Sequence, residues 1–427
     1  MKINKVKVKE LMESKGIKTQ TELASILGIS KNQLSVILSE KYKPIKASVE
    51  DLCMVLEVTP AYIMDIGYMQ QSLFDSSVEL PIDADAITAV ELFAGAGGLA
   101  LGLENAGIHT VEFVEIDKYC CETLYKNRPH WNIVNADVST RDFSKYKGKI
   151  DIVTGGFPCQ AFSYAGKKMG FDDTRGTLFY EFARCVKDVE PLIFMAENVR
   201  GLKSHDNGRT LETIINVLTD LGYTVKYEVL NAAYYNVGQK RERIVIVGTK
   251  AGVTFSFPKP NRKMATLQEA LEGCPLSEGQ SYSQRKKDVL DLVPPGGSWV
   301  DLPEDVQKEY MGKSYYSGGG KRGMARRISW NEPCLTLTCS PSQKQTERCH
   351  PDETRPFTVR EYARIQSFPD DWEFCGGIGE KYKQIGNAVP VKLAEKIGLQ
   401  LADAISNYRK SVTDIAEVES YELREAI

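Results

Sequence analysis

The chain has 427 residues, more than one ordinary core organises, and its 42% hydrophobic and 26% charged residues are those of a globular protein of two or three domains. No apolar run approaches the ~20 residues a membrane-spanning helix needs, and the basic start MKINKVKVKELMESKG lacks the apolar core of a secretory signal, so a cytoplasmic chain with no membrane partner is expected. Net charge is −3, yet residues 1–50 hold ten Lys against five Glu, and residues 250–330 hold thirteen Lys and Arg against nine Asp and Glu, which points to two local contacts with a polyanion.

Residues 1–70 read as short helices. Apolar residues recur at helical spacing in Val6, Leu11 and Met12, in Leu23, Ile26 and Leu27, and in Leu34, Ile37 and Leu38. Thr19 with Glu22, and Ser30 with Gln33, have the spacing of capping boxes, and Gly28 stands where a tight turn is needed. Two helices this close form a helix-turn-helix, whose second helix opens with Lys31, Asn32 and Gln33, where base contacts are made. Lys41 and Lys43 are expected on phosphates. A further helical pair follows from Ser48 to about Met64, and residues 71–86, polar and containing Pro81, read as a linker.

From Ala86 the texture changes to strand-like runs (AITAVELF, HTVEFVEID, KIDIVTGG, PLIFMAEN, YTVKYEVL, RIVIVGT) alternating with helical ones, which predicts an α/β domain with a parallel sheet covered on both faces. After Gly248 the regularity fails. Residues 258–356 are rich in Pro, Gly and Ser, and order returns at 358–368 and in a helix over 391–406. The ten cysteines form no CxxC pair, and only His109, His130, His205 and His350 could join them, so neither a metal site nor a disulfide scaffold is expected.

Four segments carry chemistry. ELFAGAGG, at a strand end, has Gly95, Gly97 and Gly98 to turn the backbone sharply beside a ligand. Twenty residues after Gly95, Glu115 ends the next strand, where a carboxylate accepts ribose hydroxyls, and Asp137 ends a third, within reach of an adenine amine; together they suggest an adenosine-bearing cofactor without saying which. GGFPCQAFS would hold Cys159 at the sheet edge where α/β active sites lie, although a cysteine is more often a small buried apolar residue. Glu197, in AENVRG, ends a strand at the same edge. Arg241 and Arg243 alternate in QKRER toward one face of a strand, a pattern that surface charge would also satisfy.

These motifs, in this order, with RPFTVREYARIQSFPDDW at 355–372 and KQIGNAVP at 383–390, resemble the DNA cytosine-5 methyltransferases, above all bacterial modification enzymes, over residues 88–405. The resemblance implies a Rossmann-like methyltransferase domain (87–271, with 383–410 returning to it), a smaller irregular target-recognition domain (272–360), a hinge (361–382) and a tail (411–427), preceded by the all-α helix-turn-helix domain. It implies S-adenosyl-L-methionine as cofactor and double-stranded DNA as partner. Cys159 becomes the nucleophile on cytosine C6, Glu197 the partner of N3 and the exocyclic amine, and Arg243 the contact to O2, while Arg241 holds a loop or a phosphate. Phe93, Gly95, Gly97, Glu115, Ile116, Asp137 and Leu178 line the cofactor, and Asn387 and Ala388 touch its methionine part. Such chemistry requires the base to leave the duplex. The stretch after Cys159, with Lys167, Lys168 and Arg175, resembles the family's mobile DNA-closing loop, but Tyr164-Ala165 departs from the small polar residue of some relatives. In the recognition segment Arg322, Arg326 and Arg327 are expected on DNA, with a lean toward a short GC-rich site.

The N-terminal segment resembles the helix-turn-helix of small phage-type repressors. It is expected to bind the chain's own promoter as a dimer beside a monomeric catalytic unit. Two other readings stand beside this one. A relative acting on transfer RNA is disfavoured by FPCQAFS and the long recognition segment. A regulator with a vestigial enzyme fold is disfavoured by the full catalytic set.

Overall fold

The computed structural model describes residues 3, 5–39, 46–58, 85–157, 178–316 and 323–425. The N-terminal unit holds α1 (Lys5–Ser14), α2 (Gln20–Ile26), α3 (Lys31–Ile37) and α4 (Lys46–Leu56). Its core gathers Val8, Met12, Leu23, Ala24, Leu34, Leu38, Val49 and Leu52. Ser30 and Gln33 form the full reciprocal capping box, whereas Thr19 caps Glu22 and the Glu22 carboxylate reaches Lys18 N instead of Thr19 N. Gly28 has φ +67, the left-handed turn that joins α2 to α3.

The second unit is built on a seven-stranded sheet. Its elements begin with β1 (Ile87–Leu92), α5 (Gly98–Asn105), β2 (Ile108–Glu115), α6 (Lys118–Asn127), β3 (Ile133–Asn135), β4 (Ile152–Gly155) and α7 (Leu178–Val189). They continue with β5 (Ile193–Val199), α8 (Arg209–Asp220), β6 (Thr224–Asn231), β7 (Gln239–Lys240) and β8 (Glu242–Thr249). The strand order is β3-β2-β1-β4-β5-β8-β6. Strands β1 to β5 pair in parallel, which carries their C-terminal ends to one edge. The expectation of an all-parallel sheet fails on one side. β8 is antiparallel to both β5 and β6, because the connection from β6 to β8, which includes β7, turns the chain back without a crossover α-helix. The two faces are filled by Phe179, Phe182, Val186 and Phe194 on one side and by Leu103, Ile193, Val247, Leu393 and Ile397 on the other.

Beyond the sheet lie α9 (Leu267–Leu271), α10 (Gln284–Leu290), α11 (Glu304–Met311), β9 (Cys334–Leu335), α12 (Val359–Ile365), α13 (Ile378–Asn387) and α14 (Val391–Glu425). The last helix runs past the expected end at 406, so the segment expected as a tail continues it. It returns to the sheet by packing on α5 through two glycines. A Cβ on Gly102 would lie 2.4 Å from the Ala394 Cβ, and one on Gly398 2.8 Å from the Ala106 Cβ. Among the described residues no helix is long and apolar enough to cross a membrane.

The irregular unit between α9 and α12 has its own small core of Tyr282, Leu290, Val293, Leu302, Ala325 and Cys349. Here the structure corrects one expected DNA contact. Arg327 is 5% exposed, and its guanidinium donates to the carbonyls of Leu290, Val293, His350 and Pro351 and to Thr354 Oγ1. These donors are consumed inside the domain, so Arg327 staples loops and does not read bases. Arg326 is partly turned inward too, donating to Gly296 O at 2.6 Å. Arg327→Ala should leave several buried carbonyls unpaired and lower stability by on the order of 3 kcal/mol. A urea melt checks this, and unchanged stability with weakened DNA binding would restore Arg327 to the DNA-contact set.

Candidate active site

The C-terminal ends of β1 and β2 build a cradle. Leaving β1, Phe93 and Gly95 take positive φ (+58 and +56), and Gly97 (φ +87) stands just before α5. Glycine is required at 97 on space as well as conformation: a Cβ would sit 2.6 Å from Leu124 and 2.9 Å from Trp372. A Cβ on Gly95 would meet nothing within 4 Å, so that turn borders open space. The Glu115 carboxylate spans the cradle, accepting from Gly95 N (2.7 Å) and Asp117 N (2.8 Å). Burial raises its pKa above the ordinary value, opposed by those two amides. Beside it Ile116 is 67% exposed, an apolar side chain left uncovered at the mouth. Asp137 caps a short turn through Ser139 and keeps Oδ2 without a partner among the described residues. Leu178 opens α7 half-buried. Asn387 is exposed and Ala388 buried, at the end of α13. A carboxylate for a diol, an uncovered apolar side chain for a planar ring and an open glycine turn fit an adenosyl group.

A second group meets at the ends of β4, β5 and β8. Glu197 and Arg243 form an ion pair, Oε1 to Nε 2.7 Å, each 12% exposed. They come together because β5 and β8 run antiparallel with Val199 opposite Arg243. Glu197 lies beside the β4 exit: a Cβ on Gly156 would be 3.2 Å from its Oε2. Burial raises the Glu197 pKa, while Arg243 and Arg241 pull it down less strongly. Such a carboxyl is poised to hold or share a proton.

Arg241, expected on the same face as Arg243, is buried, and the charges of both arginines act on Glu197. Arg241 is 1% exposed and donates to Gly386 O (2.9 Å), Leu337 O (3.3 Å) and Asn387 O (3.4 Å). Of its two expected roles, holding a loop fits this geometry and reaching a phosphate does not.

Cys159, Lys167, Lys168, Arg175, Arg322, Lys41 and Lys43 lie outside the described residues. The chain leading to Cys159 is described as far as Phe157, and Asn198 anchors it by donating to Phe157 O (2.8 Å). Lys31, Asn32 and Gln33 are exposed at the start of α3. The Gln33 carbonyl oxygen is engaged by Ser30 N, which leaves its amide nitrogen free of the capping box to meet a base edge.

Several supporting residues drew no notice in the sequence. Gln239 joins Gln366 (3.0 Å) and accepts from Leu337 N, and Gln366 donates to Ile385 O, which ties the QKRER and IGNAV segments together. Glu91 on β1 is 0% exposed, and burial holds its pKa well above the ordinary value, opposed by the Ala100 backbone amide. Only its place two residues before Phe93 could have flagged it.

Comparison with known proteins agrees with this geometry. The model of the C-5 cytosine-specific DNA methylases matches residues 87–403, and that of the Cro/C1-type HTH DNA-binding domain matches residues 7–66. Type II methyltransferase M.Sau96I of Staphylococcus aureus is 51% identical over 429 residues, covering 96% of this chain and 100% of that one. Type II methyltransferase M.Eco47II of Escherichia coli is 58% identical over 344 residues, covering 78% and 82%. Among solved structures, one described as a prophage-encoded DNA modification methyltransferase of E. coli aligns with a TM-score of 0.56 at 26% identity over 75% of this chain and 99% of that one. The chain therefore belongs to the C-5 cytosine-specific DNA methylases, and it carries a Cro/C1-type helix-turn-helix domain ahead of the enzyme.

Proposed function

We propose that the chain is the modification methyltransferase of a Type II restriction-modification system, methylating C5 of a cytosine in a short duplex site. The observation that carries this reading is the Glu197–Arg243 pair set beside the β4 exit that leads to Cys159. The target cytosine swings out of the duplex into this pocket. Arg243 contacts its O2, and Glu197, protonated or sharing a proton, contacts N3 and the exocyclic amine. The Cys159 thiolate adds to C6, Glu197 offsets the charge that develops at N3, and C5 becomes enamine-like. S-adenosyl-L-methionine supplies an electrophilic sulfonium methyl group when bound. Glu115 holds its ribose, Ile116 packs on its adenine, and Phe93, Gly95, Gly97, Asp137, Leu178, Asn387 and Ala388 complete the pocket. A water then takes the C5 proton, the C5–C6 double bond re-forms, and the Cys159 Sγ–C6 bond breaks to return the thiolate. Bisulfite sequencing of host DNA after expression tests the reading: a protected cytosine at one recurring short site is expected, and uniform conversion would overturn it.

The N-terminal domain is proposed to repress the chain's own promoter. The domain precedes every methylase motif and has its own core, against which Tyr125 of α6 packs, and it is proposed to be separable from catalysis. A chain beginning near Ala84 should methylate at the full-length rate within about twofold, whereas replacing Lys31, Asn32 and Gln33 together by Ala should weaken promoter binding at least ~10-fold, since each good base contact is worth about 1–3 kcal/mol. A gel shift and a methylation assay on both variants check this. Unchanged promoter binding, or a folded truncation without activity, would count against it.

A further inference from the structure

Asn387 is braced by a chain segment from outside its own motif. Residues 336–339 leave β9 and run against the C-terminal end of α13 at 386–388. Gly386 permits the approach: a Cβ there would lie 2.6 Å from Thr338 O and 2.8 Å from Cys339 N. Arg241 clamps both segments from within, donating to Leu337 O on one side and to Gly386 O and Asn387 O on the other. On the outer side Cys339 Sγ lies 2.9 Å from Asn387 Oδ1, as donor to acceptor. Both residues are exposed.

An exposed asparagine in the last turn of a helix ordinarily samples several rotamers and both amide orientations. Here Oδ1 is engaged by the sulfur, so the NH2 group faces away from it. No described residue accepts from that nitrogen. We propose that Cys339 is a positioning residue, holding the Asn387 amide so that its NH2 meets the carboxylate of the methyl donor's amino-acid part. The proposal rests on the reading of Asn387 as a contact to that donor. An amide NH2 suits a carboxylate because both of its hydrogens can be accepted, and a preset orientation spares the ordering cost on binding. The thiol is in the right state to donate. Desolvation raises its pKa above the ordinary value, although Arg241 and Lys383 act the other way, so the sulfur keeps its proton at neutral pH.

The test is calorimetric titration of the full chain with S-adenosylhomocysteine, the demethylated product. Loss of one neutral hydrogen bond predicts that Cys339→Ala weakens binding about 3- to 10-fold. Cys339→Ser, which keeps a donor, should stay within about twofold. Asn387→Ala should weaken binding at least as much as Cys339→Ala, and adding Cys339→Ala to it should cost nothing further, because a residue acting only through Asn387 has no effect once Asn387 is gone. In turnover, the KM for the methyl donor should rise in Cys339→Ala while kcat at saturation holds. Three results overturn the proposal while leaving the site reading intact: Asn387→Ala weakens binding and Cys339→Ala does not; Ser is as weak as Ala; or the two losses add. If Asn387→Ala binds as wild type does, the reading of Asn387 itself falls, and the proposal with it. Should Cys339→Ala melt early, Cys339→Val, which fills the thiol's space without a donor, takes its place in both the single and the double variant.

Discussion

Cys159→Ser should reduce methylation by at least ~10⁴-fold, the scale of losing a catalytic nucleophile, while binding of S-adenosylhomocysteine stays within about twofold of wild type. The physical ground is that an alcohol is far less acidic than a thiol, so the anionic nucleophile disappears at neutral pH. The cradle at Gly95 and Glu115 is built from β1 and β2 and owes nothing to that sulfur. A steady-state methylation assay beside a binding titration separates the two effects. A serine variant that keeps more than about a tenth of the activity would remove Cys159 from the chemistry.

Glu197→Gln should lower kcat by ~10²–10⁴-fold, the usual range for a positioned acid, with cofactor affinity little changed. Gln keeps the shape and can still hydrogen-bond, but it cannot share a proton with N3 or balance the charge of Arg243. The variant leaves the Arg243 guanidinium facing a neutral amide where it now has a carboxylate 2.7 Å away. The pH profile carries a second sign. Burial raises the Glu197 pKa, so its protonated form survives to higher pH than that of an ordinary glutamate, and kcat in wild type should fall as pH rises through that raised value. In Glu197→Gln this alkaline limb should vanish. A variant with more than about half the wild-type kcat would exclude Glu197 from the mechanism.

How much of this was legible in the sequence depended on whether a residue's role is local. The turn after β1 was readable because a strand end, three glycines and an acid twenty residues on are all features of a short window. The Ser30–Gln33 box was readable for the same reason. The antiparallel edge was not, since RIVIVGT is apolar on both faces and says nothing about strand direction. Arg327 was misjudged because a basic residue in a basic segment reads as surface, and only the fold shows loops closing around it. Gln239, Gln366, Asn198 and Cys339 stayed silent because each acts across long stretches of chain, where spacing carries no information. The Arg243–Glu197 pair lay between, with both members singled out but their meeting set by sheet register.

The most direct test of the account is covalent trapping. Duplex DNA carrying 5-fluorocytosine at the methylated position is incubated with the full chain and S-adenosylmethionine, then run on a denaturing gel. Fluorine cannot leave C5 as a proton does, so elimination stalls, and a denaturation-resistant protein–DNA complex should accumulate, mapping by mass spectrometry to Cys159 and disappearing in Cys159→Ser. No such complex from an enzyme that methylates the unsubstituted site, or one that persists in Cys159→Ser, would contradict the mechanism.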